Sequence, residues 1–246
     1  MTQGKLHIGT SGWNYDHWKG PFYPEELPAS QMLDHYTMHF KSVELNNSFY
    51  HLPKRATLEK WRELTPVGFV FSAKASRYIT HMKKLKDPEA SVKKFFERIT
   101  ALDDKLGPIL FQLPPHWQFN QQRLQQFLEC LSQDFRYTFE FRDPSWINDE
   151  TFELLARFDG AFCIYELDGH LSPKEITTDF IYIRLHGPDG PYQGNYDDQT
   201  LSGWSGAISA WARQGLSIYC YFDNDEAGYA PQNALRLQSM LRPKDD

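Results

Sequence analysis

The sequence predicts a single (β/α)8 barrel of the TIM type spanning residues 1–246. Three observations carry this. Eight short apolar runs read as strands, helix-period patterns fill most of the gaps between them, and the length matches the roughly 250 residues such a barrel occupies. Strand–helix alternation implies parallel strands joined by crossovers. An open doubly wound sheet is the competing architecture, but Gly9-Thr10-Ser11-Gly12 after the first run lacks the G-x-G-x-x-G spacing of a phosphate-binding loop.

The predicted strands are Leu6–Gly9, Ser42–Asn46, Gly68–Lys74, Pro108–Leu113, Tyr137–Arg142, Ala161–Glu166, Phe180–His186 and Ser217–Asp223. Each is rich in Ile, Val, Phe or Tyr and is bounded by Gly, Pro or polar residues. Helical patterns cover Leu33–Phe40, Leu58–Leu64 and Phe152–Phe158. Val92, Phe95, Phe96 and Ile99 repeat at helical spacing behind Asp87-Pro88, a helix start. Leu124, Phe127, Leu128 and Leu131 do the same behind an Asn120 cap. Leu201, Trp204, Ile208 and Trp211 run toward a stop at Gly215, and Ala234, Leu237 and Leu241 close the chain. Asp168-Gly169-His170-Leu171-Ser172-Pro173 is turn-like, so the sixth helix is expected to be short or missing.

A hydrophobic share of 41% and a charged share of 24% fit a globular chain with a full core. The net charge of −6 disfavours broad binding to a nucleic-acid backbone while leaving room for a local basic pocket. Cys130, Cys163 and Cys220 match neither a disulfide framework nor zinc spacing, and Cys163 and Cys220 read as core. Met1–Gly12 carries no apolar leader and no segment is long and apolar enough for a bilayer. These features predict a soluble, cytoplasmic protein with no membrane partner.

Parallel strands buried on both faces are normally continuous apolar runs. Here several alternate instead. Thr138, Glu140 and Arg142 oppose Tyr137, Phe139 and Phe141; Tyr182, Arg184 and His186 oppose Ile181, Ile183 and Leu185. Glu44 and Asn46 oppose Val43 and Leu45, Ser72 and Lys74 oppose Phe69 and Phe71, and the fourth strand ends near Gln112. In a barrel this polar set lines the interior, with its charges toward the C-terminal strand ends where active sites of this fold lie. The same pattern also fits a structural ion-pair network.

The motifs resemble those of the YecE-like family, catalogued as domain of unknown function 72, nearly end to end. They are Gly9-Thr10-Ser11-Gly12-Trp13 with Tyr15, Val43-Glu44-Leu45-Asn46 with Ser48-Phe49-Tyr50, Lys74 with Ser76, Arg77, Thr80 and His81, and Gln112-Leu113-Pro114-Pro115. Glu140-Phe141-Arg142, Arg184-Leu185-His186-Gly187 and Phe222-Asp223-Asn224-Asp225 complete the set. The resemblance implies a TIM-type barrel and transfers no catalytic residues. Asp143 departs from the family pattern, which often has histidine there.

Expected functional residues follow from the polar face. Arg142, Arg184 and Lys74 supply donors for a carboxylate or phosphate, so a small anionic ligand is the first expectation. Asn46, Gln112, Trp13, Tyr15, Asn224 and Asp225 complete the expected binding set. Glu44, Glu140, His186 and Lys74 are the expected catalytic groups. Arg142 beside Glu140 favours its ionised form, which leaves Glu44 as the proton carrier. His186 reads equally as a shuttle or as a satisfied structural donor. Rings near the strand ends, among them Trp18, Phe49, Tyr50 and Trp146, could stack a sugar or base or simply pack loops. The leading expectation is an enzyme using acid–base chemistry on a phosphorylated sugar- or nucleotide-like substrate. The alternatives are a metal-dependent phosphodiesterase acting on nucleic acid and a non-catalytic binding barrel. A divalent metal has only weak support, since no H-E-x-x-H spacing occurs. Oligomeric state is open.

Overall fold

A computed structural model describes residues 2–242; Met1 and 243–246, the ends of the single-domain expectation, lie outside the described residues. The strands are β1 (Leu6–Thr10), β2 (Ser42–Leu45), β3 (Val70–Lys74), β4 (Leu106–Gln112), β5 (Tyr137–Glu140), β6 (Gly160–Leu167), β7 (His170–Leu171), β8 (Phe180–Leu185) and β9 (Ser217–Phe222). They are hydrogen-bonded in the order β1-β9-β8-β6-β5-β4-β3-β2, with β7 paired to β6 alone. The helices are α1 (Met32–His39), α2 (Asn47–Tyr50), α3 (Arg55–Leu64), α4 (Glu89–Ile99), α5 (Gln121–Glu129), α6 (Asp149–Arg157), α7 (Asp198–Arg213) and α8 (Tyr229–Leu241). Eight parallel strands alternating with helices make this a (β/α)8 TIM-type barrel, the fold class read from the sequence.

Every strand of that reading is present, with ends displaced by one or two residues. The displacements matter at four positions. Asn46, Arg142, His186 and Asp223 stand just beyond their strands rather than within them. Among the described residues no sixth crossover helix forms. In its place β7 turns back antiparallel onto β6, pairing Glu166 with Leu171 and Leu167 with His170. Asp168 and Gly169, both at positive φ, make this reversal.

Helix starts follow local chemistry. The side chains of Asn120, Asn148 and Asp197 each accept the amide of the residue three positions on, satisfying one of the free N–H groups of α5, α6 and α7. Gly215 has φ +91 just past α7, the left-handed residue that ends it. The sequence periodicity did not reveal the single turn α2 or a π-helical turn over Tyr78–Met82. Both are shorter than one period of a detectable pattern.

The contacts separate the chain into two compact units. The first comprises Met1–Val43, Ile164–Ser172 and Asp179–Asp246, and the second comprises Glu44–Cys163 and Pro173–Thr178. In the second, Phe111 of β4 stacks on Phe139 of β5 at 5.4 Å and meets Phe127 of α5 edge-on at 4.9 Å. All three are fully buried, each contributing about 1.5–3 kcal/mol of hydrophobic stabilisation. In the first, Ile208 of α7 and Leu237 of α8 are buried along with Ile218 and Cys220 of β9. Cys163 and Cys220 are both fully buried, as expected for core cysteines. Among the described residues no helix is long and apolar enough to cross a membrane.

Candidate functional site

In the second unit, β3, β4 and β5 pair Lys74 with Leu110, Leu110 with Thr138, and Gln112 with Glu140. Register partners in parallel strands point to the same side, so Lys74, Gln112, Thr138 and Glu140 share one face. Lys74, Gln112 and Glu140 are the last residues of their strands, and Glu44 is the penultimate residue of β2. All four are buried, Glu44 and Glu140 completely.

The Arg142 Nε donates to Glu140 Oε1, an ion pair whose side chains are 8% and 0% exposed. The Cys163 thiol approaches the other carboxylate oxygen at 4.0 Å. Lys74 holds its ammonium 4.4 Å above the centre of the Phe49 ring, a cation–π contact. Phe49 is carried there by α2. Ser48 fixes that turn by donating to the Lys74 carbonyl at 2.6 Å and the Leu45 carbonyl at 3.0 Å. The edge of His81 meets the same Phe49 ring at 5.0 Å.

His81 lies on the π-turn with Nδ1 2.9 Å from the Thr80 hydroxyl. Burial, then Lys74, Arg77 and Arg142, push its pKa down to about 4, opposed by Glu140. Three cations thus outweigh one carboxylate at this imidazole, which is neutral at pH 7. Asn46 Oδ1, Gln112 Oε1 and Thr138 Oγ1 are buried and have no hydrogen-bond partner among the described residues. Leaving such a group unsatisfied costs about 1–3 kcal/mol. Idle acceptors are what a hydroxyl-bearing ligand would satisfy.

In the first unit a second polar group forms at the ends of β8 and β9. Arg184 Nη2 donates to Asp223 Oδ2 at 3.0 Å, while its Nη1 stands 3.2 Å from His186 Nε2. The remaining His186 nitrogen, Nδ1, is 3.0 Å from Asp223 Oδ2. A guanidinium can only donate, so His186 Nε2 is the acceptor in that contact. Arg184 and His186 are fully buried. Both terminal nitrogens of Arg184 are therefore engaged with protein groups.

The rest of the expected binding set in this unit is also tied down. Asn224 is fully buried and donates to the Gly194 carbonyl at 2.8 Å and to Asn233 Oδ1 at 2.9 Å. Its own Oδ1 has no partner among the described residues. Asp225 meets His17, whose Nε2 donates to its carbonyl at 2.6 Å and lies 3.6 Å from its carboxylate. Burial and Asp223 raise the Asp225 pKa, with His17 opposing. Trp13 is buried and its carbonyl accepts from the Tyr23 hydroxyl at 2.6 Å. Tyr15 donates to the Ser11 carbonyl at 2.7 Å and packs on Trp18 at 4.9 Å. A Cβ on Gly12 would stand 2.7 Å from the Tyr15 hydroxyl, and φ there is +95, so this close loop requires glycine.

Several rings have a packing role. Trp18 is fully buried, and Trp146, also fully buried, donates to the Trp117 carbonyl and stacks on Phe141 at 5.0 Å. Asp143 caps the turn at Pro144–Trp146 by accepting from the Ser145 amide at 3.0 Å. Among the described residues no three His, Cys, Asp or Glu side chains gather in a way that would hold a metal ion. His81 was legible as a motif member and a candidate metal ligand, but not by its charge environment, because the cations that set its chemistry arrive from separate stretches of chain. His17 carried no sequence signal.

Fold and strand-end chemistry together define a TIM-type barrel protein with charged side chains buried at the C-terminal ends of its strands. The chain belongs to the family described as protein of unknown function DUF72, whose model matches residues 7–246. It is 27% identical to UPF0759 protein YunF of Bacillus subtilis over 96% of this chain and 94% of that protein. A DUF72 family protein of Thermotoga maritima superposes with TM-score 0.87 at 30% identity, covering 96% of this chain and 99% of the other. A DUF72 family protein of Enterococcus faecalis, 18% identical, superposes with TM-score 0.84 over 98% of this chain and 97% of its own. The family resemblance and the barrel fold read from the sequence are thereby established.

Proposed function

We propose that the chain is an enzyme that uses acid–base chemistry on a small phosphorylated, hydroxyl-bearing substrate held in the second unit. The observation that carries this reading is the shared face on which Lys74, Gln112 and Glu140 end their strands with Arg142 bonded to Glu140, beside buried oxygens of Asn46, Gln112 and Thr138 that lack hydrogen-bond partners among the described residues. Lys74 and Arg142 receive the phosphate, for which arginine supplies a fork and lysine a point charge. Asn46 and Gln112 accept from substrate hydroxyls, which gives their idle oxygens the donors they lack.

Glu44 carries the proton. It is fully buried on β2 and reaches the substrate from a different strand than Glu140. Glu140 remains a carboxylate, its charge stabilised by the Arg142 N–H. In the first unit, Arg184 and His186 act as positioning residues for Asp223 rather than as ligand donors.

Calorimetric titration with inorganic phosphate and a set of sugar phosphates tests the anion site. Wild type binds, and Arg142→Gln, which keeps an N–H for Glu140, weakens binding roughly tenfold, the worth of a charge-assisted hydrogen bond. Equal affinity in the variant, or no binding by wild type, overturns the reading. With a bound compound in hand, Glu44→Gln leaves folding intact and abolishes turnover; unchanged turnover removes Glu44 from its role.

A further inference from the structure

Large apolar side chains are normally withdrawn from water, and a group of exposed ones beside a polar site points to a ligand. Three such residues in the second unit neighbour the groups just described along the chain. Tyr50 is 72% exposed, Tyr78 48% and Met82 68%. Tyr50 follows Phe49 on α2, and Tyr78 and Met82 are the first and last residues of the π-turn that carries His81.

Tyr50 is held, not dangling. Its ring meets Phe49 edge-on at 4.9 Å with the planes at 90°, and it is the C-terminal residue of a turn that Ser48 fastens to β2 and β3. The same Phe49 ring carries the Lys74 ammonium at 4.4 Å and the His81 edge at 5.0 Å. One buried ring thus sets the spacing between an exposed aromatic ring and the cationic group. The Tyr50 ring lies 4.9 Å and the Lys74 ammonium 4.4 Å from the Phe49 ring centre, close enough for one small ligand to reach both.

We propose that the substrate of this site is a nucleoside monophosphate, its base stacked on Tyr50 and its phosphate received beside Lys74 and Arg142. This rests on the anion site of the preceding reading and adds the base. Stacking suits the position because every base has a π-face, whereas Tyr50 offers no array of donors for reading base edges. The sugar hydroxyls fall to Asn46 and Gln112, whose buried oxygens lack donors among the described residues. The acidic chain, with net charge −6, is suited to a single nucleotide rather than a polymer backbone.

Titration calorimetry with adenosine 5′-monophosphate, ribose 5-phosphate and inorganic phosphate separates these contributions. Wild type is expected to bind the nucleotide roughly five- to a hundredfold tighter than ribose 5-phosphate, the effect of one stacked base. Tyr50→Ala, at an exposed position, erases that preference and leaves phosphate affinity unchanged. Equal affinities for nucleotide and sugar phosphate in wild type overturn the inference while the anion site stands. A preference that survives in Tyr50→Ala also overturns it. Failure of all three compounds to bind overturns the anion site and the inference together.

Discussion

The two units build polar groups from the same residue types and finish them differently. In the first, Arg184, His186 and Asp223 close on one another, and Asn233 serves Asn224, Asn195 and the Tyr196 backbone. In the second, three cations bear on His81 against one carboxylate, and Asn46 Oδ1, Gln112 Oε1 and Thr138 Oγ1 lack hydrogen-bond partners among the described residues, as Asn224 Oδ1 does in the first. Buried charge alone does not mark a ligand site, because a network that satisfies itself needs no ligand. What marks a site is the part of the hydrogen-bonding and charge balance that the protein leaves open.

This contrast can be broken most forcefully at Arg184. Replacing it with alanine removes the guanidinium contacts to Asp223 and His186, and the expected loss is about 3–5 kcal/mol of unfolding free energy. Chemical denaturation measures it. A loss below about 1 kcal/mol, the range of exposed pairs, would mean the network is not a buried unit.

A paired substitution sharpens the contrast. Asn233→Ala strips satisfied partners in the first unit and is expected to cost about 1–3 kcal/mol. Gln112→Leu removes an idle oxygen in the second and should leave stability within about 1 kcal/mol of wild type or raise it. Equal losses in denaturant midpoint at the two positions would erase the difference drawn here.

A pH-dependent effect is expected from His81. Its folded pKa, about 4, lies below the ordinary 6.5, so the unfolded chain takes up its proton first as pH falls. The contribution is fully present above pH 6.5, declines as pH drops toward 4, and is flat below. His81→Gln should flatten that part of the stability profile; an unchanged slope between pH 6.5 and 4 would contradict the assignment.

The barrel was legible because period-2 strands and 3.6-period helices repeat over enough residues to be read locally. The polar face of β3 to β5 was legible for the same reason, since alternation places Lys74, Gln112 and Glu140 on one side. The fate of each polar residue was not. Arg184 and Arg142 look alike in sequence, each two residues from an ionisable partner. Only the fold supplies Asp223 to complete the first, and only the π-turn brings His81 to Phe49. The missing sixth helix was legible from Asp168-Gly169; β7, two residues long, was not.

The most direct measurement is the NMR titration of the His81 imidazole with and without saturating inorganic phosphate. Alone, the ring should titrate near 4 because burial and three cations oppose its proton. A bound phosphate neutralises those cations, so its pKa should rise toward the ordinary 6.5. An imidazole whose titration phosphate does not move would mean that no anion occupies this site.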